Sequence, residues 1–567
     1  MQAVWDRSNN TDRSVTTAAL AAAGLFAWLF LACGAPADDW MEWHGPRRDN
    51  KFTETGWLDR WPPDPLWQAD VGPGFSSVVV SSNRLYTMGS TVLEPFEEIM
   101  EEVHCLDALT GTQVWSYAYP APSAGIDEGP RATPALDEGR LYTFGHIGNV
   151  HCFDVETGAV LWETSQSRNG LPGFGFAGSP LIEDDMLLLS AGRAGVALNK
   201  LTGAEIWNNR AADVSIAQYA SPVVFDWGSK RLMAYRSYYD LVLVDVKTGA
   251  TNSWYFFEGQ QKVPDPIVYE DKLFICSSEN RQSILLQITN GAMPAVWSDG
   301  YMECDCSTPI LMGHYLYGFP YDTQESERYM ACIDIRTGKY VWRQSLADVD
   351  GGEWTLIAAE GRFILLSEYG WLGLVKATPE GYDTEGREFV RLLPWDPEIT
   401  HYWYTHPVLA NGRIYCRSSL GKLVCVTAAG RPMDRDGDGM ADTWEQLRLG
   451  SITNEPAIDL DGDGSSNEDE YIAGTDPADP EDFLSLDILV SNGATVVRCV
   501  TRRCEGSGYD DATSRYYTLY DCDDMTGGDW APIVGNAGIT GDAGTLIHTN
   551  STGGNTRFYR VGARLGP

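Results

Sequence analysis

Two acidic segments in the last quarter of the chain have the residue types and the spacing of calcium-binding loops. They read DRDGDGMADTWE, from Asp434, and DLDGDGSSNEDE, from Asp459. Calcium takes roughly six to eight oxygen ligands, and a loop of about twelve residues supplies them from fixed positions around a central glycine. The predicted ligands are Asp434, Asp436, Asp438, Met440, Asp442 and Glu445 in the first loop, and Asp459, Asp461, Asp463, Ser465, Asn467 and Glu470 in the second.

The spacing in the two loops predicts that bound calcium orders the linker that contains them. Met440 and Ser465 would bind through backbone carbonyls, and each final glutamate through two oxygens. Helical segments are predicted only after the acidic runs, in ADTWEQLRL and NEDEYIAG, so the loops resemble half EF-hands of the dockerin or thrombospondin type 3 kind. Extracellular modules bind calcium at about 10⁻⁴ to 10⁻³ M, and about two ions would order residues 431–482. The alternative is a solvated acidic linker.

Catalytic motifs are not evident elsewhere in the chain. The eight histidines include no HExxH pair, and the sequence contains neither a GxSxG elbow nor a glycine-rich phosphate loop. His104 and His151 share one position of an internal repeat, which predicts a structural role. The catalytic and cofactor-binding residues therefore remain unknown at this point.

The elements that must carry any site form a repeat, marked by tryptophans roughly 45 residues apart, the period of a β-propeller blade. Most lie four residues beyond a glycine in a shared frame, as in LDALTGTQVW, FDVETGAVLW and IDIRTGKYVW. An Asp or Asn followed by Thr-Gly suits a turn between two strands, and the tryptophan is predicted to fill the core between units. The series is Trp67, Trp115, Trp162, Trp207, Trp254, Trp297 and Trp342.

A second repeat sets the number of units. A polar residue before proline opens six of them, and Ser77-Val78 and Thr355-Leu356 occupy the two remaining places. Proline suits an edge strand beside the central channel, so the sequence predicts an all-β, eight-bladed propeller. Phe389 takes the place of one tryptophan, and Trp67 is predicted to complete the last blade with the N-terminal strand. The six proline openings are Thr133-Pro134, Ser179-Pro180, Ser221-Pro222, Asp265-Pro266, Thr308-Pro309 and His406-Pro407.

These frames resemble the quinoprotein-like (PQQ-like, BamB-like) eight-bladed β-propeller repeat family over roughly residues 40–427. The segment MEWHGPRRDNKFTETGWLDRWPP is similar to the lead-in of secreted bacterial members. The family contains both pyrroloquinoline quinone (PQQ) enzymes and binding scaffolds, so the resemblance leaves the activity open. Cys304 and Cys306 are not the adjacent cysteine pair of the quinone-dependent dehydrogenases, which argues against an enzyme.

The net charge limits the classes of partner, and an apolar N-terminal stretch indicates the cellular location. The 567 residues carry a formal net charge of −38, which argues against nucleic acid and anionic membranes as partners. The stretch AALAAAGLFAWLFLAC predicts a signal peptide over residues 1–37, and hence export to the periplasm, cell surface or medium of a bacterium. Lipid attachment at Cys33 is the alternative. No other segment predicts a transmembrane span.

The remaining cysteines and the C-terminal region complete the domain plan. Cys105, Cys152 and Cys332 share a strand position and are predicted to be small buried residues, whereas Cys416 and Cys425 lie where they could form a disulfide across a hairpin. Strand-like runs after residue 483 predict a small β-sandwich. The predicted domains are the signal peptide (1–37), a lead-in (38–64), the propeller (65–430), the calcium loops (431–482) and the sandwich (483–567).

Two functions from different classes follow from this plan. The favoured prediction is a monomeric, exported binding scaffold for a protein or glycan, with a calcium-ordered linker to the last domain. The alternative is a PQQ-dependent oxidoreductase with its cofactor and calcium in the propeller channel. A propeller enzyme acting on polysaccharides is a third possibility, because its acid and base could lie in any two blades.

Overall fold

The computed structural model describes most of the chain from residue 39 onward. The predicted signal peptide and Cys33 lie outside the described residues. Within the described part, no helix is long and apolar enough to cross a membrane. The described residues are 39–52, 61–93, 98–122, 129–167, 171–209, 216–257, 263–277, 282–298, 300–304, 306–320, 328–346, 349, 352–383, 388–393, 402–427, 438–441, 444–445, 448–450, 455–491, 494–502, 514–522, 530–541, 545–550 and 558–566.

Eight antiparallel sheets follow one another along the described residues between 64 and 427, as in a β-propeller. The first strand, β1 (Asp64–Asp70), joins the eighth sheet. The first four sheets contain β2 (Val79–Ser81), β3 (Arg84–Leu93), β4 (Glu98–Asp107) and β5 (Gln113–Pro120); β6 (Ala135–Asp137), β7 (Arg140–Phe144), β8 (Asn149–Asp154) and β9 (Val160–Ser165); β10 (Leu181–Glu183), β11 (Met186–Leu189), β12 (Val196–Asn199) and β13 (Glu205–Asn208); and β14 (Val223–Trp227), β15 (Lys230–Arg236), β16 (Asp240–Asp245) and β17 (Thr251–Phe256).

The later sheets keep the same plan with two additions. A short strand, β21, pairs in parallel with β17 of the fourth sheet, and β30 and β31 form a separate hairpin. These strands are β18 (Ile267–Tyr269), β19 (Lys272–Ser277), β20 (Gln282–Gln287) and β22 (Ala295–Trp297), with β21 (Gly291–Ala292); β23 (Ile310–Met312), β24 (Tyr315–Gly318), β25 (Tyr329–Asp334) and β26 (Lys339–Ser345); β27 (Trp354–Ala359), β28 (Arg362–Ser367), β29 (Trp371–Val375) and β32 (Glu388–Arg391), with β30 (Ala377–Thr378) and β31 (Gly381–Tyr382); and β33 (Val408–Ala410), β34 (Arg413–Arg417) and β35 (Lys422–Thr427).

Each docked tryptophan joins its own sheet to the next one. The Trp162 indole donates to the carbonyl of Lys200 at 2.9 Å, and its ring covers Gly203, where a Cβ would come within 2.5 Å of the ring. Gly203 has a φ of 70°, so the turn needs glycine for its backbone as well as for space. Equivalent indole bonds run from Trp67 to Ala108, Trp115 to Val155, Trp207 to Val246, Trp297 to Ile335 and Trp342 to Thr378.

The core role predicted for Trp254 is wrong. Its side chain is 48% exposed, and the buried position on its strand belongs to Ser253, whose hydroxyl bonds the carbonyl of Thr289. The cause lies in spacing, because Trp254 follows Gly249 by five residues and the other frames use four. One extra residue in a strand turns a side chain to the opposite face.

Phe389 and Trp67 occupy the register positions expected of them. Phe389 lies opposite Gly373, as Trp342 lies opposite Cys332 in the preceding sheet. Trp67 lies opposite Cys425, because β1 pairs with β35 as the outer strand of the eighth sheet. The first and last strands of the propeller region therefore share one sheet.

The predicted disulfide between Cys416 and Cys425 does not occur in this structure, where both residues are buried thiols. Register explains why. Cys425 pairs with Tyr415, and Cys416 pairs with Val424, so the two cysteines project from opposite faces of the sheet. Cys105, Cys152 and Cys332 are buried at one shared position, each opposite a tyrosine.

The C-terminal residues include a helix and two further sheets. The helix α1 (Asn467–Ala473) begins after the Ser466 N-cap and ends at Gly474. Residues of both sheets share one apolar cluster that includes Val497, Tyr517 and Leu519. The strands are β36 (Asp487–Ser491), β37 (Ala494–Val500) and β41 (Thr545–Asn550) in one sheet, and β38 (Ser514–Cys522), β39 (Ala531–Pro532), β40 (Ile539–Thr540) and β42 (Phe558–Gly566) in the other.

Candidate functional site

The polar residues that open the sheets form a chain of hydrogen bonds around the inner side of the propeller. In each link, a backbone N–H of one opening donates to the side-chain oxygen of the next. Five successive bonds join Ser77 to Thr133, Thr133 to Ser179, Ser179 to Ser221, Ser221 to Asp265 and Asp265 to Thr308, at 2.6–3.1 Å. The sequence marked five of these six residues only by the proline that follows them, and Ser77 by its matching place before Val78. Their bonding explains why a short polar side chain occupies these six openings.

The lead-in segment crosses this inner side and touches several sheets. The backbone of Trp40 exchanges two hydrogen bonds with Val80 of β2, at 2.8 Å each. Farther along, Arg48 donates to the carbonyl of Ile182 in β10, and Phe52 donates to the carbonyl of Ala358 in β27. The lead-in is thus part of the propeller's packing, a role that the sequence did not indicate.

Trp43 and His44 of the lead-in meet the two openings that lack a hydroxyl. The Trp43 indole donates to Asp265 Oδ2 at 3.0 Å, and His44 Nδ1 lies 3.6 Å from the same oxygen. His406, the other exception, packs its ring 4.3 Å from the ring of Trp43 and 5.4 Å from that of His44. The two positions that depart from Ser or Thr therefore hold the same short segment.

Burial dominates the electrostatics of this cluster. It raises the pKa of Asp265 to about 7, against the opposing effects of the Ser221 N–H, the Trp43 indole and Arg236. Burial also lowers the pKa of His406 to about 4 and holds that of His44 well below its usual value. Near neutral pH both histidines are therefore neutral, and Asp265 keeps its proton to a higher pH than an ordinary carboxyl group does.

Two cavities are each lined by both Trp43 and Asp265. One, of about 610 Å³, lies between the lead-in and the inner strands of the third to sixth sheets, and its charged groups include Arg48 and Glu183. The other, of about 240 Å³, we call the aromatic cavity. Its described lining contains five aromatic rings, one arginine and one carboxylate, together with small and polar residues: Trp43, Phe75, Phe174, Tyr219, Tyr404, Arg131, Asp265, Ala177, Ser179, Ser221, Val263, Cys306 and Thr405.

The second acidic loop brings its predicted ligands together. One carboxylate oxygen from each of Asp459, Asp461 and Asp463 lies within 4.8 Å of the others. Backbone N–H groups hold these side chains in place, since Gly462 and Gly464 donate to Asp459 at 2.7 and 2.9 Å. The loop thus gathers three carboxylates at one centre, as a hard cation requires.

Buried oxygens in this loop fit a cation. Asp461 Oδ2, Asp463 Oδ2, Asn467 Oδ1 and Glu470 Oε2 are buried and find no hydrogen-bond partner among the described residues. Burial raises the pKa of Glu470 to about 7, and the charges of Asp461 and Asp463 add to the effect. Unpaired buried acceptors are costly, and a bound cation would satisfy all four. Ser465 lies two residues after Asp463, and its N–H donates to the Asp463 carboxylate at 2.6 Å.

The first loop is described only in part. Asp434, Asp436 and Asp442 lie outside the described residues, whereas Asp438, Met440 and Glu445 lie within them. The N–H of Met440 donates to Asp438 Oδ1 at 2.8 Å, which repeats the bond at Ser465. Trp444 packs edge-on against Tyr471 of α1, with ring centroids 5.2 Å apart, so the regions after the two loops are in contact.

The other histidines have structural partners. His104 and His151 lie opposite Thr87 and Thr143, at the shared repeat position that the sequence predicted. His146 bonds the fully buried Glu101 at 2.7 Å. Neither His146 nor Glu101 contributes to the lining of the two cavities.

Comparison with known proteins supports the repeat type. Residues 99–344 match a family model described as outer membrane protein assembly factor BamB, and this match confirms the PQQ-like, BamB-like repeat for that part of the chain. No curated protein matches the sequence.

Several solved structures resemble the chain at low identity. BamB from Moraxella catarrhalis is 14% identical, with a TM-score of 0.44 over 64% of this chain and 99% of that one. The quinohemoprotein alcohol dehydrogenase from Comamonas testosteroni is 12% identical, with a TM-score of 0.49 over 71% and 82% of the two chains. Quinohemoprotein alcohol dehydrogenase ADHIIG from Pseudomonas putida HK5 is 11% identical, with a TM-score of 0.48 over 69% and 80%.

Proposed function

We propose that this protein is an exported binding scaffold that holds a protein or glycan partner at the aromatic cavity of its propeller. The observation that carries the proposal is the lining of that cavity, in which aromatic rings surround a few polar groups. Such sites bind apolar or ring-shaped groups by stacking and use the polar groups to orient them. A sugar ring, or one side chain of a partner protein, is a suitable occupant.

The scaffold also needs a closed frame, and we take the eight sheets to be eight blades closed by the N-terminal strand. Support comes from the β1–β35 pairing and from the Trp67 indole, which bonds the carbonyl of Ala108 in the first sheet at 3.1 Å. In a ring closed in this way, the N-terminal strand is paired and does not form an exposed sheet edge where the two ends of the propeller meet. A rigid frame of this kind keeps the cavity preformed and lowers the entropy cost of binding.

Binding is tested with the full chain on arrays of oligosaccharides and of peptides from envelope proteins. We expect Tyr219→Ala and Phe174→Ala to weaken binding of any retained ligand by about tenfold or more, since an aromatic contact contributes roughly 0.5–1.5 kcal/mol beyond its buried area. Phe256→Ala is the matched control, because that ring is 56% exposed on an outer strand. Equal loss in all three variants would contradict the cavity as the binding site.

PQQ and its calcium ion fit the aromatic cavity poorly. Asp265 is the one carboxylate among the described residues that line it, and it already accepts from Trp43 and Ser221. Calcium needs several oxygen ligands at one place. Titration of the purified chain with PQQ and calcium should therefore give no saturable absorbance change and no dye reduction with alcohols or sugars. Saturable binding with turnover would make the oxidoreductase the better assignment.

Calcium belongs to the linker in this proposal. The buried, unpaired oxygens of Asp461, Asp463, Asn467 and Glu470 support a calcium ion in the second loop, and the matching sequence supports a second ion in the first. Calorimetry on the full chain should detect calcium binding that Asp461→Ala weakens by about tenfold or more, because the carboxylate at the third position of the loop contributes both charge and coordination. Asp479→Asn removes the same charge outside the loop and should leave the affinity unchanged. Unaltered binding in Asp461→Ala would refute the loop as a site.

A further inference from the structure

Two buried cysteines meet beside the aromatic cavity, at a place not assigned above. Cys276 lies near the end of β19, and Cys304 lies in the segment between β22 and β23. Both are free thiols in this structure, with side chains 1% and 0% exposed, and they belong to one apolar cluster and lie close enough for each to shift the pKa of the other. We propose that Cys276 and Cys304 form a disulfide in the exported protein.

The residues around Cys276 favour its thiolate as the nucleophile. Arg236 is 1% exposed, and its Nη1 donates to the carbonyl of Cys276 at 3.1 Å. Its Nε and Nη2 have no hydrogen-bond partner among the described residues, so the guanidinium has donors left for a thiolate. Burial raises the pKa of Cys276, but the contact with Cys304 and the charge of Arg236 outweigh it and lower that pKa overall.

The chemistry is a thiol–disulfide exchange. The Cys276 thiolate attacks the disulfide of an oxidant of the glutathione or oxidoreductase class and forms a mixed disulfide, releasing one thiolate. Cys304 loses its proton and displaces the second thiol. The protein gains one S–S bond and loses two electrons and two protons, while the oxidant's disulfide is reduced to two thiols.

The bond would fix one wall of the aromatic cavity. Cys304 precedes Cys306, which lines that cavity, and Thr308, whose hydroxyl accepts from the N–H of Asp265 at 2.9 Å. A link to β19 would therefore restrict the segment that leads to Thr308, the residue that accepts the hydrogen bond from Asp265. The inference goes beyond the proposed binding function, because the bond can form whether or not the cavity takes a ligand.

The test is a cysteine map of the full-length protein. The chain is refolded and equilibrated with oxidised and reduced glutathione, free thiols are trapped with N-ethylmaleimide, and peptides are identified by mass without reduction. We expect a linked pair of peptides containing Cys276 and Cys304, lighter by two hydrogens than the dithiol, while Cys416 and Cys425 in the same sample carry the label. Cys276→Ser should abolish the linked pair, and Cys416→Ser should retain it.

Thermal unfolding supplies a second readout. The oxidised parent should unfold a few degrees above the reduced parent, since a crosslink restricts the unfolded chain. Cys416→Ser should keep this difference, and Cys304→Ser should lose it. Labelled Cys276 and Cys304 under all glutathione ratios, or a link from Cys304 to Cys306, would overturn the proposal.

Discussion

In most of the docked tryptophans the indole does two things at once, since its ring fills the space over a glycine and its N–H satisfies a carbonyl of the next repeat. Trp207 is 8% exposed and bonds Val246 at 2.8 Å. Trp254, one repeat later, has neither feature. The chain therefore contains its own control for the role of a docked tryptophan.

We predict that Trp207→Ala destabilises the propeller by about 3–5 kcal/mol, the cost of removing a large buried ring, whereas Trp254→Ala costs less than about 1 kcal/mol. Denaturant midpoints followed by far-UV circular dichroism measure both. Similar midpoints for the two variants would show that docking contributes little to stability.

The raised pKa of Asp265 makes the folding stability of the propeller depend on pH. Its pKa is raised from the ordinary value to about 7 in the folded protein, so the folded state holds the proton more tightly than the unfolded state. Stability from this group is complete below the unfolded pKa near 4 and is lost as pH rises towards 7. His44 and Arg236 are charged or titratable groups next to it, and Arg131, Tyr219, Cys306 and Tyr404 share its cavity.

We expect the stability of the parent, relative to Asp265→Asn, to fall by a few kcal/mol between pH 4 and 7, since one pKa unit corresponds to about 1.4 kcal/mol. Denaturant titrations of both proteins at several pH values give this difference directly. Asn can still accept from the Ser221 N–H, so the variant should fold. A pH-independent difference would mean that Asp265 does not titrate in this range.

At the scale of the element, the turn glycines separate backbone strain from packing. Gly203 and Gly228 both have positive φ, 70° and 59°, but a Cβ at Gly203 would meet the ring of Trp162 at 2.5 Å, whereas one at Gly228 would meet nothing within 4 Å. The first turn lies under a docked tryptophan and the second is an open hairpin.

We predict that Gly228→Ala costs about 1 kcal/mol, the strain of a left-handed alanine, and that Gly203→Ala costs clearly more because the indole must also move. Thermal midpoints of the two variants, with fluorescence of Trp162 as a local probe, test this. Equal thermal midpoints for the two variants would mean that backbone strain alone accounts for the loss of stability, with no contribution from the indole.

The sequence predicted elements better than contacts between distant elements. Repeat frames placed Trp67 and Phe389 correctly because each position depends on local spacing, and the extra residue between Gly249 and Trp254 was a readable sign that this ring would face outward. Asp265 and His406 were visible as departures from Ser or Thr. Their meeting with the lead-in was not, because Trp43 bonds Asp265 across 222 positions of sequence, and spacing carries no information on such contacts.

At the scale of the whole molecule, the second acidic loop leads directly into the packing of the C-terminal sheets. Helix α1 contains Asn467 and Glu470, the last two predicted ligands of the loop. The carbonyls at its C-terminal end accept hydrogen bonds from side chains beyond residue 500. Arg515 donates to Ile472 at 2.6 Å, Tyr517 to Ala473 at 3.2 Å and Arg502 to Gly474 at 3.0 Å. These donors satisfy the carbonyls that a helix end leaves open, so the order of the loop and the order of the last domain are linked through α1.

We therefore predict that removing calcium with a chelator loosens α1 and its contacts with β38, while the propeller sheets are unaffected. Without the cation, the carboxylates of Asp459, Asp461 and Asp463 repel one another and the buried oxygen of Glu470 loses its partner. Hydrogen exchange of the full chain should become at least about tenfold faster in residues 467–474, and Glu470→Gln should exchange in this way even with calcium present. Asp479→Asn should respond to calcium as the parent does. Equal exchange in this segment with and without calcium would mean that the C-terminal sheets, and not the ion, hold the helix in place.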